Sequence, residues 1–442
     1  MKLLRFLGSA LLLVALPAYA GQSDPGQAAP SQPDTAALMQ KIRDLEDRMI
    51  AMEGQIRQLT SQQAPPPQAA PTAAPTAEAG AQAAAPVPQT QSAAAAALAS
   101  GTPAQNVVLG GAGGSAAKAL NPDISAIGDF IGVAGHNPVQ PSPSLQMHES
   151  ELGFQAIIDP YSRGDFFLSF GEEGVTLEEG YITFTALPGG FVAKVGKMRA
   201  AFGKVNTLHN HVLPWVDRPL VTNNLVGGED GIDDAGVSVE RILPAPKGIF
   251  LDATGQHFHG DSGDLQSPLF RASTKSDVSV VGHLRSYKDL TESTNIDLGL
   301  SYARGHNDAG SNFVTQLYGI DATLRWKPLR RSIYHSFVGR GEFIWSQRQQ
   351  FPSEQRAFGF YTSGDYQLGR RWFLEGRFDR SGRPESANLI DKGASAILTY
   401  WPSEFSQVRG QYRFMRYAGN IDTNELLLQV MFSLGAHGAH PF

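Results

Sequence analysis

Two imidazoles two residues apart, His209 and His211, open the stretch of this chain richest in reactive groups. The segment His209-Asn210-His211-Val212-Leu213-Pro214-Trp215-Val216-Asp217-Arg218-Pro219 leads to an acidic run at Glu229, Asp230, Asp233 and Asp234. Imidazole nitrogens and carboxylate oxygens are the donors that zinc and similar divalent ions take. His209 and His211, with Asp217 or with His257 and His259 farther along, are therefore candidate metal ligands. His-x-His is not the spacing of an established zinc motif, so polar packing of these histidines stays open. Asp217 and Arg218 are expected to anchor the segment as an ion pair, because a buried guanidinium needs a partner. The sequence holds no Gly-x-Ser-x-Gly, His-Glu-x-x-His or P-loop string. With no cysteine, thiolate chemistry and disulfides are excluded as well. No enzyme is expected, and no cofactor beyond that candidate zinc.

The elements that must carry these residues have a period of two. In 317–326, Tyr318, Ile320, Ala322, Leu324 and Trp326 alternate with Gly319, Asp321, Thr323 and Arg325. The same alternation runs through 296–303, 372–379 and 407–414. Apolar-out, polar-in strands of about ten residues with aromatic ends are the signature of a transmembrane barrel. Seven short turns, such as Asp159-Pro160-Tyr161 and Lys327-Pro328-Leu329-Arg330, alternate with eight other connections, some of them long. Among the eight are 200–234, 256–277, 304–315 and 381–390. These join sixteen strands. The predicted fold is all-β: a sixteen-stranded antiparallel transmembrane β-barrel over 121–442, wide enough for an aqueous channel.

On this phase Arg325, Arg340, Arg377, Arg409 and Arg413 fall on polar, lumen-facing sides. Glu179, Asp297, Asp321, Glu342, Glu375 and Asp379 share those sides, so the arginines do not by themselves specify an anion pore. The longest connection, about 200–234, is the third outer loop. Folded inward, it would set His209, His211, Asp217, Arg218, Glu229, Asp230, Asp233 and Asp234 against the arginine-bearing wall. Opposed charges in a lumen orient dipolar solutes.

Ahead of the barrel the chain changes character twice. Lys2 and Arg5, the apolar run Phe6–Leu16 and Ala18-Tyr19-Ala20 read as a signal peptide over 1–20. After a disordered 21–34, residues 35–62 place Leu38, Ile42, Leu45, Met49, Met52, Ile56 and Leu59 at spacings of four and three. That heptad predicts a parallel coiled coil, with Lys41 facing Glu46 and Arg48 facing Glu53 of a neighbour. Residues 63–120 are an Ala/Pro-rich linker that cannot pack a core. The net charge of −6, with no basic stripe, excludes nucleic acid as a partner.

With its topology and long third loop, the chain resembles sixteen-stranded outer-membrane porins. The resemblance implies a third loop that narrows the pore. The coiled coil ahead of the barrel resembles trimeric porins, including the phosphate-selective porin family. The strings Val195-Gly196-Lys197-Met198-Arg199-Ala200-Ala201-Phe202-Gly203-Lys204 and His209-x-His211-x-x-Pro214-Trp215-x-Asp217-Arg218-Pro219 are similar to an uncharacterised family labelled zinc-regulated TonB-dependent outer-membrane receptor. Such a receptor needs 22 strands and a folded plug, more than 442 residues supply. The expected function is passive diffusion of small hydrophilic solutes or ions across the outer membrane, with the N-terminal segment in the periplasm. Expected partners are outer-membrane lipid, a homo-oligomer (a trimer by the porin resemblance) and the barrel-assembly machinery, read through Phe442 or Phe432. An uptake receptor for a metal such as zinc and an envelope-tethering barrel are the alternatives.

Overall fold

The computed structural model describes residues 122–171, 174–264 and 268–435. The expected signal peptide, coiled coil and linker, and Phe442 with the His437/His440 pair, lie outside these residues. The strands are β1 (Asp123–His136), β2 (Leu145–Asp159), β3 (Ser162–Gly171), β4 (Gly174–Leu187), β5 (Phe191–Arg199), β6 (Asp233–Ile242), β7 (Ile249–Phe258) and β8 (Ser279–Thr291). They continue as β9 (Thr294–Asn307), β10 (Gly310–Trp326), β11 (Phe337–Arg348), β12 (Gln355–Gly369), β13 (Trp372–Arg383), β14 (Ser386–Ser403), β15 (Ser406–Tyr417) and β16 (Ile421–Gly435). Each pairs antiparallel with the next, and β1 closes on β16 with Asp129 opposite Met431. Closure satisfies the backbone of every strand and leaves no edge, the condition for strands in hydrocarbon.

The alternation read from the sequence sets the two faces. Along β10, Tyr318, Ile320 and Leu324 are exposed on the outer surface while Asp321 and Thr323 are buried inside. Leu426, Leu428, Val430, Phe432 and Leu434 do the same on β16, against buried Glu425, Gln429 and Ser433. A half-polar strand cannot reverse this choice. A slip of one residue would turn every carboxylate of the lumen into lipid.

The connections differ from expectation at four places. Residues 304–315 and 381–390 are mostly strand, because pairing continues to Asn307↔Gly310 and Arg383↔Ser386. Their Asn, Asp and Gly residues read as loop, yet the ladders run on beyond the apolar band. Lys327-Pro328-Leu329-Arg330 begins a ten-residue connection between β10 and β11 rather than a tight turn. The long third connection spans 200–232, since β6 already starts at Asp233. Loop three contains the one α-helix of the described residues, α1 (Leu220–Leu225).

Candidate functional site

Loop three lies against the inner wall of the barrel, and its path follows from what each part of the wall offers. At its start, the amides of Lys204 and Val205 both donate to the Glu342 carboxylate of β11, at 3.0 Å for Val205. Gly203 lies close to that carboxylate with a φ of 60°, and its amide donates to Ser301 of β9 at 2.8 Å. A side chain at Gly203 would meet the carboxylate in a conformation only glycine adopts freely.

Next comes the histidine pair. His209 precedes a 3-10 turn, Asn210–Val212, with extended backbone, and His211 sits within the turn. This sets their rings 5.7 Å apart, edge to face. His209 Nδ1 lies 2.7 Å from Glu151 Oε2 of β2 and 2.8 Å from Glu178 Oε2 of β4. Its Nε2 lies 2.9 Å from Glu179 Oε2. His211 Nδ1 is 3.5 Å from the same Glu151 oxygen. Glu149 adds a fourth carboxylate, buried like Glu151, and one oxygen from each of Glu149, Glu151 and Glu178 falls within 4.8 Å of the others. Burial disfavours an imidazolium at His209, but its hydrogen bonds to the carboxylates of Glu151, Glu178 and Glu179 prevail and raise its pKa well above the usual value.

The loop then runs to the stretch of wall formed by β12, β13 and β15. Trp215 is fully buried, its ring edge-on to Tyr361 at 5.0 Å and under the Arg377 guanidinium at 5.0 Å. Its indole N–H donates to Glu375 at 2.8 Å. Asp217 receives Arg377 at 2.9 Å and Arg413 at 2.8 Å. Burial pushes its pKa up, yet the two guanidiniums hold it down at about 2. Arg377 also holds Asp379 at 2.7 Å, and Arg413 holds Glu425 at 2.5 Å. The helix α1 follows, with the Leu220 amide donating to Asp379 at 3.1 Å and Val221 packed on Gly359. Gly359 on β12 has no side chain, so the helix can approach the wall.

Asp217 and Arg218 do not pair with each other. The Arg218 guanidinium donates to Asn210 Oδ1 and to the carbonyls of Val205 and Leu208, bracing the loop from within. Burial, with Arg199 nearby, lowers its pKa to about 9, so it stays charged at neutral pH. Arg409 donates to the Leu213 carbonyl at 2.9 Å and to Gln429. Arg340 reaches Glu375 at 3.4 Å, and Arg325 faces Asp297 at 3.9 Å. The five arginines thus hold the loop and the wall charges rather than forming a free basic rung.

The acidic run is divided. Glu229 faces His148 at 3.8 Å, and the Asp230 carbonyl accepts from Arg199. Asp233 and Asp234 begin β6. Asp233 pairs with Lys197 at 2.9 Å, while Asp234 accepts the amides of Gly260 and Asp261 at 2.6 and 3.0 Å. His257 and His259 are not gathered with His209. His257 is exposed on β7, and His259 is exposed beside Asp261 at 3.4 Å.

Sequence reading missed Glu149, Glu151 and Glu178 as neighbours of the histidines. It also missed the apolar seat of the loop. Phe202, Leu213, Trp215, Val221, Leu225 and Ile232 share one buried cluster with Leu317, Ile344, Tyr361 and Ile397 of the inner wall. Those four wall residues break the polar phase of their strands, and that break was the available signal.

Two of the spaces that border the loop differ in charge. Toward the short turns lies a chamber of about 1010 Å³ bounded by Lys204, Trp215 and Tyr361. Lys204, Arg325, Lys327, Arg340, Arg370 and Arg371 line it, against one acidic residue, Glu404. Toward the long loops lies a pocket of about 320 Å³ lined by Glu149, Glu178, Glu229, Asp230, Asp233 and Asp264, with Lys197 and Arg199 among its bases.

No family model matches the chain. An uncharacterized protein of Aquifex aeolicus is 28% identical over 389 residues, covering 74% of this chain and 81% of its own length. An anion-selective porin from Comamonas acidovorans superposes with a TM-score of 0.50 at 11% identity, over 71% of this chain and 99% of its own. The outer membrane channel DcaP of Acinetobacter baumannii gives 0.48 at 12% identity, over 71% of this chain and 96% of its own. Closed antiparallel strand order, lumen-facing charge and this likeness of fold coincide: the chain has the architecture of a sixteen-stranded outer-membrane porin.

Proposed function

We propose that the barrel is a passive outer-membrane channel for small hydrophilic solutes, narrowed by loop three. The observation that carries this reading is the loop's anchorage on opposite walls, at Glu342 of β11 and at Glu151 of β2, with Arg377 and Arg413 of β13 and β15 holding it in between. A segment tied across a lumen sets its width. The chamber on the short-turn side, with six basic residues against Glu404, favours anionic solutes once they pass the loop. The coiled coil expected over 35–62, together with the resemblance to trimeric porins, makes a trimer the expected assembly, with residues 21–120 on the periplasmic side.

Single-channel recording in a planar bilayer tests the reading. Discrete ohmic steps are expected, with a reversal potential in a salt gradient that marks anion preference. Replacing Arg370 and Arg371 with Gln should move that potential toward zero. Folded barrels that insert and pass no current refute passive transport. The receptor and tethering alternatives then take its place.

A further inference from the structure

We propose that Glu151, His209 and His211, completed by Glu178 and Glu149, form a binding site for one divalent first-row transition-metal ion where loop three meets β2 and β4. The site goes beyond the channel reading and does not depend on it.

Glu149, Glu151, Glu178 and Glu179 come from two strands and converge on one loop segment, and Glu149 and Glu151 are each 4% exposed. Buried carboxylates are tolerated when paired or when they coordinate a metal. The positive charge at hand is the His209 ring and Arg199, whose guanidinium is 3.7 Å from Glu178 and also serves the carbonyls of Glu229 and Asp230. Arg218 is committed to Asn210 and two loop carbonyls. Four carboxylates therefore face less cationic charge than they carry.

Geometry supplies the second observation. Both Glu149 oxygens are buried with no hydrogen-bond donor, and one of them lies within 4.8 Å of an oxygen of Glu151 and of Glu178. A carboxylate held so lacks the hydrogen bonds a structural carboxylate requires. The donor atoms of Glu151, His209 and His211 also lie within 4.8 Å of one another, so Glu151 belongs to both groups.

The orientation of His209 matches the arrangement of metal-binding imidazoles. Its Nε2 faces Glu179 at 2.9 Å, which leaves Nδ1 aimed at Glu151 and Glu178. A carboxylate on the far nitrogen fixes tautomer and ring plane in such sites. Glu179 is accordingly a positioning residue and not a ligand. Imidazole and carboxylate donors without thiolate suit zinc, manganese, iron(II) or cobalt, while calcium and magnesium prefer shells of oxygen alone. The acidic pocket of about 320 Å³ reaches Glu149 and Glu178 from the long-loop end and supplies an entry path.

The test uses full-length protein, folded in detergent and stripped with a chelator. Zinc is titrated in competition with a chromophoric indicator, and folding of each variant is checked by heat-modifiable gel mobility. One zinc per chain is expected, with calcium unable to displace it. Glu151→Gln and His211→Gln should each weaken binding at least about 100-fold, and Glu179→Gln about 10- to 100-fold. A His437→Ala, His440→Ala double variant should bind like the parent. X-ray absorption should give a nitrogen/oxygen shell near about 2.0–2.1 Å. Absence of stoichiometric zinc, or equal affinity in folded Glu151→Gln and His211→Gln chains, overturns the proposal. Loss of binding in the terminal double variant overturns it too, by moving the ion to the terminus.

Discussion

Asp217→Ala is the substitution that most directly asks what holds loop three in the lumen. Asp217 bridges Arg377 and Arg413, and truncating one member of a buried, hydrogen-bonded charge pair costs about 2–5 kcal/mol. Here both arginines keep another carboxylate, Asp379 at 2.7 Å and Glu425 at 2.5 Å. No cation is stranded, so the low end applies, about 2–3 kcal/mol. At about 1.4 kcal/mol per decade, the equilibrium between docked and released loop shifts by roughly 30- to 150-fold. The absence of cysteine from the chain gives a clean assay. Val216→Cys places a thiol beside Asp217, where the native side chain is buried against Ile131 and Leu427. Its maleimide labelling rate reports loop release when opening and reclosing are fast relative to labelling. Adding Asp217→Ala should raise that rate by the same 30- to 150-fold. Removing the exposed Arg416–Asp422 pair by Arg416→Ala should leave it within about twofold, since surface pairs contribute about 0–1 kcal/mol. A labelling rate unchanged by Asp217→Ala in a folded barrel refutes the clamp.

Two further outcomes concern the same loop. The Asp217 carboxyl has a folded pKa of about 2, below its unfolded value of about 3.9. Its stabilisation is full above the unfolded value and is lost as pH falls through the folded one. Bilayer recordings should thus keep one conductance from pH 7 to 4 and show a wider state as pH approaches 2. Gly359→Leu should expel α1, because even a Cβ at that position comes within 2.8 Å of Val221. Overpacking of this kind costs about 1–3 kcal/mol. The readout is a larger single-channel conductance at unchanged gel mobility, and an unaltered conductance refutes the seating of the helix.

What the sequence disclosed follows from the range of the interactions involved. The faces of β10 were legible because Tyr318, Ile320 and Leu324 repeat every second residue, and lipid rewards that period locally. Loop three was legible by its length and rank among the connections. Its partners were not. Glu151 lies 58 residues from His209, and Arg413 lies 196 from Asp217. Strand register and barrel curvature alone bring them together, and neither is written in local pattern. The expected Asp217–Arg218 pair failed for the same reason. The two side chains part: Asp217 found partners 160 and 196 residues on, and Arg218 found its own within the loop. The extended ribbons of β9 with β10 and β13 with β14 were misread because residues such as Asn307 and Gly310 have turn chemistry while their backbones still pair.

The seam between β1 and β16 imposes an order of events on assembly. Gln429 donates to Asp129 across 300 residues, so the cylinder cannot shut until the final strand has been made. Loop three belongs to the first half of the chain, yet Trp215 and Asp217 are seated on β13 and β15 in the second. Its seat is therefore complete only once those later strands are in place. Contacts so distant along the chain make for slow folding. A defect in the loop's seat should accordingly appear first as delayed closure of the seam, in newly made protein that remains unlatched, before it appears as a change in the finished pore.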